Sequence, residues 1–331
     1  MSHTEKPILI ATRGSALALA QANMILAQCQ AAFPELQFEL RIIKTTGDKL
    51  QTASLASEGL VLPKGLFTKE LEVALLNGQA DLAVHSLKDL PTELPPGLQL
   101  TAVAKRADVR DVLIYRDARA AAQDPNTPSQ RGFLPGLRVA DLPAGATVAT
   151  SSTRRKALLL TANPGLNVPD IRGNVATRMQ KLASQPGLDG TILALAGLSR
   201  LNFKFDSEGR ITGEGVPSGL LASILSTDEM LLCLGQGAIG IETRQNDELI
   251  AKICSRLNHE ETLQCVTAER AFLAAMGGGC QSPVAAHGEM IGDQLRLRAL
   301  SFVKGPVLRS ESTRPPGEAI ALGQDLATNL K

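Results

Sequence analysis

Short apolar runs of strand length alternate with stretches of helical periodicity along most of this chain, and that alternation restricts it to α/β architecture. Ile8–Ala11 reads as a strand, and Ala16–Ala31, rich in strong helix formers, as the helix that follows. Phe38–Ile43 is a second strand, and Phe67, Leu71, Ala74 and Leu75 share one face of a helix ahead of a strand at Leu82–Ser86. The same signals predict strands at Leu100–Ala104, Val112–Tyr115, Thr147–Thr150, Thr191–Ala194 and Asp228–Leu234, a helix around Lys156–Thr161, and a new segment at Ala238–Arg244. Asp117–Gly145 loses its periodicity and reads mostly as a surface insertion, and the polar, Gly-rich Lys204–Gly219 as a loop. A helix at Glu260–Ala275 and a strand set within Gln294–Phe302 predict a small domain at the C-terminal end. With 331 residues there is material for two or three domains, each with its own core.

Composition narrows the function. Basic and acidic residues nearly balance at a formal net charge of +1, and aromatics make up 3% with no Trp and a single Tyr, Tyr115. A single-stranded nucleic-acid binder needs stacking platforms that this chain lacks. No apolar run reaches bilayer-spanning length, and the polar stretch Met1–Pro7 does not read as a signal peptide. Cys29, Cys233, Cys254, Cys265 and Cys280 are odd in number and lack CxxC spacing, which predicts a reducing compartment, the cytoplasm, without a disulfide framework or zinc site. His3, His85, His259 and His287 are too dispersed to suggest a metal cluster.

The positive charge is unevenly placed. Arg13 precedes Ser15 and a helix; Thr150, Ser151 and Ser152 precede Arg154 and Arg155 at another helix start; Arg172, Gly173 and Asn174 precede a third, with Arg178 one turn on. Ser, Thr and Asn cap the free amides of a first turn, the remaining amides and the dipole favour an anion, and arginine adds a planar donor fork. One such site is ordinary capping. Three in one chain predict, if the helix starts face one cleft, a ligand with several negative groups; a solvated basic face is the alternative.

Two further segments carry chemistry. Leu82–Ser86 runs into Lys88, Asp89 and Pro91, and strand ends are where open α/β sheets bind ligands. A carboxylate there can stabilise a developing cation or move protons, or Lys88 and Asp89 can simply form a surface turn. His85 reads as a packed strand residue on the same sheet face as Ala83. In Gly277-Gly278-Gly279-Cys280, three glycines leave the thiol on an accessible loop, which suggests a nucleophile or an attachment point; without a Cys/His protease context, attachment is favoured.

These motifs occur together with Lys64–Glu72, Ala196–Arg200 and Gly235–Ala238, and the ordered set, spanning nearly the whole chain, resembles the porphobilinogen deaminases. The resemblance implies three domains: residues 1–107 with 235–256, residues 108–234, and residues 257–331, the first two like the lobes of periplasmic binding proteins and the third a small α/β domain. It implies a monomeric enzyme of tetrapyrrole biosynthesis that adds four porphobilinogen units head to tail, with loss of ammonia, to a dipyrromethane held through a thioether by Cys280. Hydrolysis then releases 1-hydroxymethylbilane. Asp89 matches the family's catalytic aspartate, with Lys88 beside it. Every pyrrole bears an acetate and a propionate, so the resemblance makes Arg13, Arg154, Arg155, Arg172, Arg178 and Arg200 carboxylate clamps, with Ser15, Ser86, Thr150, Ser151, Ser152, Gly173 and Asn174 around them. No metal, nucleic acid or membrane is implied.

The chain departs from the family pattern at Leu62-Pro63, where a Gly pair is usual in a segment expected to act as a lid, and at Val109, where proline is common. A two-lobed receptor for a carboxylate ligand would account for the arginines but leaves Gly277–Cys280 unexplained. A nucleic-acid binder would use the patch from Arg154 to Lys181, against the near-neutral charge.

Overall fold

The computed structural model describes residues 6–48, 65–121, 131–278 and 282–331; Leu62, Pro63 and Cys280 lie outside the described residues. The architecture is mixed α/β, built on three principal sheets.

The first sheet has five strands in the order β2-β1-β3-β11-β4, where β1 is Ile8–Arg13, β2 Phe38–Ile43, β3 Leu82–Ser86, β4 Leu98–Val103 and β11 Ile239–Arg244. β1 runs parallel to both β2 and β3, so the carboxyl ends of β1 and β3 lie side by side. Helix α1 (Ala16–Ala32) buries Ala22, Ile25 and Cys29 against Ile8, Ile10 and Val84 of this sheet. Helix α2 (Lys69–Leu76) covers the other face through Leu71, Ala74 and Leu75.

The chain leaves this sheet after β4, builds a second one, and returns to it as β11. The second sheet runs β10-β5-β7-β6, with β5 at Asp111–Arg116, β6 at Val148–Ala149, β7 at Gly190–Ala194 and β10 at Leu220–Ile224. β6 and β7 are parallel, which again aligns two carboxyl ends, those feeding helices α3 (Thr153–Ala162) and α5 (Leu195–Arg200). Helix α4 (Val175–Ser184) buries Met179 and Leu182 on this sheet.

The third sheet is an antiparallel meander of β12 (Val284–Ile291), β13 (Gln294–Ser301) and β14 (Leu308–Arg314). Helices α7 (Glu260–Ala275) and α8 (Ala319–Leu330) pack on it through Phe272, Leu322 and Leu326 over Leu295 and Leu297.

The described residues of Asp117–Gly145 are mostly exposed, as expected of a surface insertion, while Val139 and Leu142 reach the core of the second sheet and Phe133 packs edge-on against Tyr115. Two expectations from the sequence are corrected. Lys204–Gly219 is not a plain loop: β8 (Lys204–Phe205) and β9 (Ile211–Thr212) pair as a ribbon whose Ile211 is buried with Phe203. Asp228–Leu234 forms no strand; the strand in this region is β10, and Met230 and Leu231 serve as core residues of an irregular segment. In each case a few apolar side chains anchor a stretch whose average composition reads as solvent-facing or strand-like. Among the described residues no helix is long and apolar enough to cross a membrane.

Candidate active site in the cleft between the first two sheets

Arg13 and Ser15 follow β1, and Ser86 and Asp89 follow β3, so the parallel pairing of those strands brings all four together. They line one pocket with Gln21, Phe67 and His85. Ser15 caps α1 by accepting from the Ala18 amide at 3.4 Å. Arg13 pairs with Asp48 and stacks over the Phe67 ring, 4.2 Å from its centroid. Ser86 Oγ and the Gln21 side-chain amide hydrogen-bond to each other at 2.9 and 3.0 Å. Asp89 closes a short 3-10 turn (Leu87–Asp89) and has no hydrogen-bond or ion-pair partner among the described residues. Lys88 sits in that same turn, half-buried. Gly235 lies against the turn at a φ of +71°, where a side chain would stand 3.1 Å from the Lys88 backbone nitrogen.

Across the cleft, the two other arginine-bearing helix starts are also capped, by Ser152 on the Arg155 amide and by Asn174 on the Thr177 amide. The Thr150 hydroxyl accepts from the Ser152 amide. Ser151 Oγ donates to the Ile171 carbonyl at 2.9 Å and accepts from its amide at 3.1 Å, which pins Arg172–Asn174 beside Thr150–Ser152. Gly173 adopts a φ of +119°, and a Cβ there would stand 2.7 Å from Thr177, so only glycine fits the turn into α4. The start of α1 and the start of α4 lie near each other at Gly197, where an added Cβ would stand 3.8 Å from Leu17 and 3.9 Å from Val175.

The arginines there divide into two kinds. Arg154 and Arg155 are almost fully buried and share one carboxylate, Asp111: Arg154 Nη2 donates to it at 3.0 Å, Arg155 Nη2 at 2.7 Å, and Gln236 Nε2 at 2.8 Å. Burial alone would push the Asp111 carboxyl up; the charges of Arg155 and Arg154 overcome it and hold it far below the usual carboxylate range. Arg172, Arg178 and Arg200 have no carboxylate partner among the described residues. Arg172 is exposed, Arg178 Nε donates to the Gly173 carbonyl, and Arg200 Nη2 to the Gly237 carbonyl. Burial lowers Arg178 to about 10, helped by the like charge of Arg155, and lowers Arg200 to about 10. Both stay cationic at neutral pH and lack a counter-ion.

Asp111, Gln236, Gln21 and Phe67 escaped the sequence reading. Asp111 and Gln236 are distant in the chain and become partners only through the two crossing segments. Phe67 was placed on a helix face, with nothing in its spacing to show that Arg13 lies over it.

Strand ends, capped cationic helix starts and an acid without a partner among the described residues mark an α/β protein suited to an anionic ligand. Residues 8–252 match the family model described as porphobilinogen deaminase, dipyrromethane cofactor binding domain, and residues 263–331 match its C-terminal domain. Similar proteins are the porphobilinogen deaminases of Syntrophomonas wolfei (41% identical, covering 97% of this chain and 94% of that protein) and Geobacter metallireducens (42%, 98% and 91%). Among solved structures, the LysR-family regulator CbnR is 10% identical with a TM-score of 0.40 over 76% of this chain and 68% of that one. The BenM effector-binding domain with benzoate is 18% identical with a TM-score of 0.39 over 82% and 94%. The chain belongs to the porphobilinogen deaminase family, whose members polymerise porphobilinogen into hydroxymethylbilane in tetrapyrrole biosynthesis.

The residues present fit the dipyrromethane that the family uses. Its carboxylates need cations, and Arg178 and Arg200 are half-buried cations with no carboxylate partner among the described residues; the Nε atoms of Arg154 and Arg200 are buried without an acceptor there. Its pyrrole N–H groups need an acceptor, and Asp89 has no other partner.

Proposed function

We propose that the cleft between the first two sheets is where this chain condenses four porphobilinogen molecules, with Asp89 as the group that carries the chemistry. The observation supporting this most directly is a carboxylate without a partner among the described residues, set in a pocket with Arg13, Ser15 and Ser86. When bound through Cys280, the dipyrromethane supplies the pyrrole carbon to which the first substrate is joined. Loss of ammonia from each porphobilinogen puts positive charge on its pyrrole nitrogen, and Asp89 stabilises that charge from a partly desolvated position. Arg13, Arg172, Arg178 and Arg200 bind acetate and propionate groups, while Arg154 and Arg155, anchored on Asp111, present a net positive face with Asn174 and Thr150–Ser152. Lys88 neighbours the acid and orients the substrate's carboxylates.

In this reading the three sheets belong to three domains, bounded at 1–107 with 235–256, 108–234, and 257–331. The enzyme works as a monomer in the cytoplasm, where the unpaired thiols of Cys29, Cys233, Cys254 and Cys265 suit a reducing compartment.

The test is Asp89→Asn. Turnover of porphobilinogen is expected to fall about 100-fold or more, the usual size of a lost electrostatic stabiliser, in a protein of unchanged thermal stability. Near-normal turnover would move the catalytic role to another residue.

A further inference from the structure

Beneath the same pocket lies a set of buried titratable groups that the reading above does not use. His85, at the end of β3, is 5% exposed and lines the pocket; its Nε2 is 3.0 Å from Oε2 of Glu242 on β11, which is fully buried. Glu72, from α2, lies close enough to feel the charges of both. Burial and, more weakly, the Glu242 charge push the Glu72 carboxyl up, against a hydrogen bond from Thr68 and the charge of His85. Oε1 of Glu242 and Oε1 of Glu72 are buried with no hydrogen-bond partner. Two carboxylates and an imidazole in apolar surroundings are costly to bury unless paired and hydrogen-bonded, and such clusters gather at functional sites.

The charged groups around His85 are few. β11 contributes Glu242, α2 contributes Glu72 and Glu70, β1 contributes Arg13, and the turn after β3 contributes Asp89 and Lys88. With Nε2–H donated to Glu242, the neutral ring keeps its lone pair on Nδ1, which has no partner among the described residues. A carboxylate behind an imidazole fixes its tautomer and orients the ring, the arrangement of a general base.

We propose that His85, backed by Glu242, accepts the proton released at each ring coupling in the cleft. The inference rests on the placement of the reaction beside Asp89. At each coupling the aminomethyl C–N bond breaks with its electron pair leaving on ammonia. The free α-carbon of the acceptor pyrrole forms the new C–C bond. Its C–H bond then breaks, the pair restoring the aromatic ring and the proton going to Nδ1 of His85. The imidazolium passes that proton to the departing ammonia, which leaves as ammonium, and the ring returns to its starting state. Asp89 stabilises the cation while His85 removes the proton, so one acid need not do both.

His85→Gln tests this with a readout that lost packing would not move. kcat is expected to fall about 100-fold, in the range for a lost general base, with little change in KM. With porphobilinogen deuterated at its free α-carbon, the isotope effect on kcat should grow in the variant, because proton removal becomes slower. Wild-type turnover in His85→Gln, or a loss of turnover with an unchanged isotope effect, would overturn the proposal. A second measurement needs no turnover. In Cys280→Ser protein, which cannot load the dipyrromethane, nitrogen NMR should show the Nε2–H tautomer of His85, and Glu242→Gln should shift its Nε2 resonance, since the accepting carboxylate is gone. An unmoved Nε2 resonance would remove the backing carboxylate and the proposal with it. If Asp89→Asn keeps its turnover, the location of the reaction is wrong; if only the His85 and Glu242 results fail, the location stands and the base lies elsewhere.

Discussion

Arg106 and Glu269 meet in a two-point contact, Nη1 to Oε1 at 2.7 Å and Nη2 to Oε2 at 3.0 Å. Glu269 belongs to α7 under the third sheet, and Arg106 to the segment leaving the first. The same carboxylate accepts from the Gly235 amide at 2.6 Å, on the returning segment, and from the Gly288 amide at 2.8 Å. One fully buried acid thus ties both crossing segments to the third sheet. Glu269→Ala leaves a nearly buried guanidinium and two amides without their acceptor, a loss of about 3–5 kcal/mol. A calorimetric scan should show a clearly lower melting temperature, with Glu269→Gln recovering part of it. An unchanged melt would mean that the third sheet is held by its apolar contacts alone.

The pair of arginines on Asp111 predicts a pH dependence. Asp111 is depressed in the folded protein, so the stability it contributes is present above its unfolded value near 4 and is lost as pH falls below it. Asp111→Asn keeps the shape but not the charge. It should lower stability at neutral pH and flatten the acid limb of a stability curve below about pH 4, where Asp111 of the unfolded wild-type chain takes up a proton that the folded state does not. Urea denaturation at several pH values measures both. A variant curve parallel to the wild type would show that the two guanidinium groups do not depend on that charge.

How much of this was legible beforehand follows from where the signal lies. The helix at Glu260–Ala275 was readable to the residue, and the three capped helix starts were readable because capping is local: Ser15, Ser152 and Asn174 each bond an amide three residues on. The convergence of those starts was conditional in the sequence, since it depends on strand pairing such as β1 with β3, which no local pattern encodes. Arg154 and Arg155 looked like free cations because their shared partner, Asp111, is more than forty residues away. His85 was readable as a packed strand residue, but Glu242, its partner at a separation of 157, was not. The ribbon around Ile211 was missed because two-residue strands carry no periodicity.

Arg178 is a half-buried cation held by a single carbonyl among the described residues, and its charge is disfavoured by desolvation and by Arg155. Arg178→Gln should therefore leave the unloaded protein at least as stable as wild type, with a melting temperature equal or higher. The same change removes a charge-assisted contact worth about 1.5–3 kcal/mol to a ligand carboxylate, and so should weaken porphobilinogen binding roughly 10- to 100-fold. The pairing of higher stability with weaker binding is the signature of a residue kept for its ligand. A destabilised variant with normal KM would assign Arg178 to the fold instead.

The cysteines separate by reactivity, because only the thiolate attacks an alkylating reagent. Burial pushes the Cys29 thiol up to about 11 and those of Cys254 and Cys265 up to about 12, so all three are protonated and shielded at pH 8. Cys233 is only half-buried. Iodoacetamide on native enzyme should therefore modify Cys233 and spare Cys29, Cys254 and Cys265 until the protein is denatured. With Cys280 as the proposed attachment point, it should resist even then, since a thioether has no thiol to alkylate. The intact mass should exceed that of the bare chain by one dipyrromethane, and Cys280→Ser should remove the excess together with activity. Peptide mapping after denaturing alkylation decides the matter: a carbamidomethylated Cys280 from fully active enzyme would place the attachment on another residue.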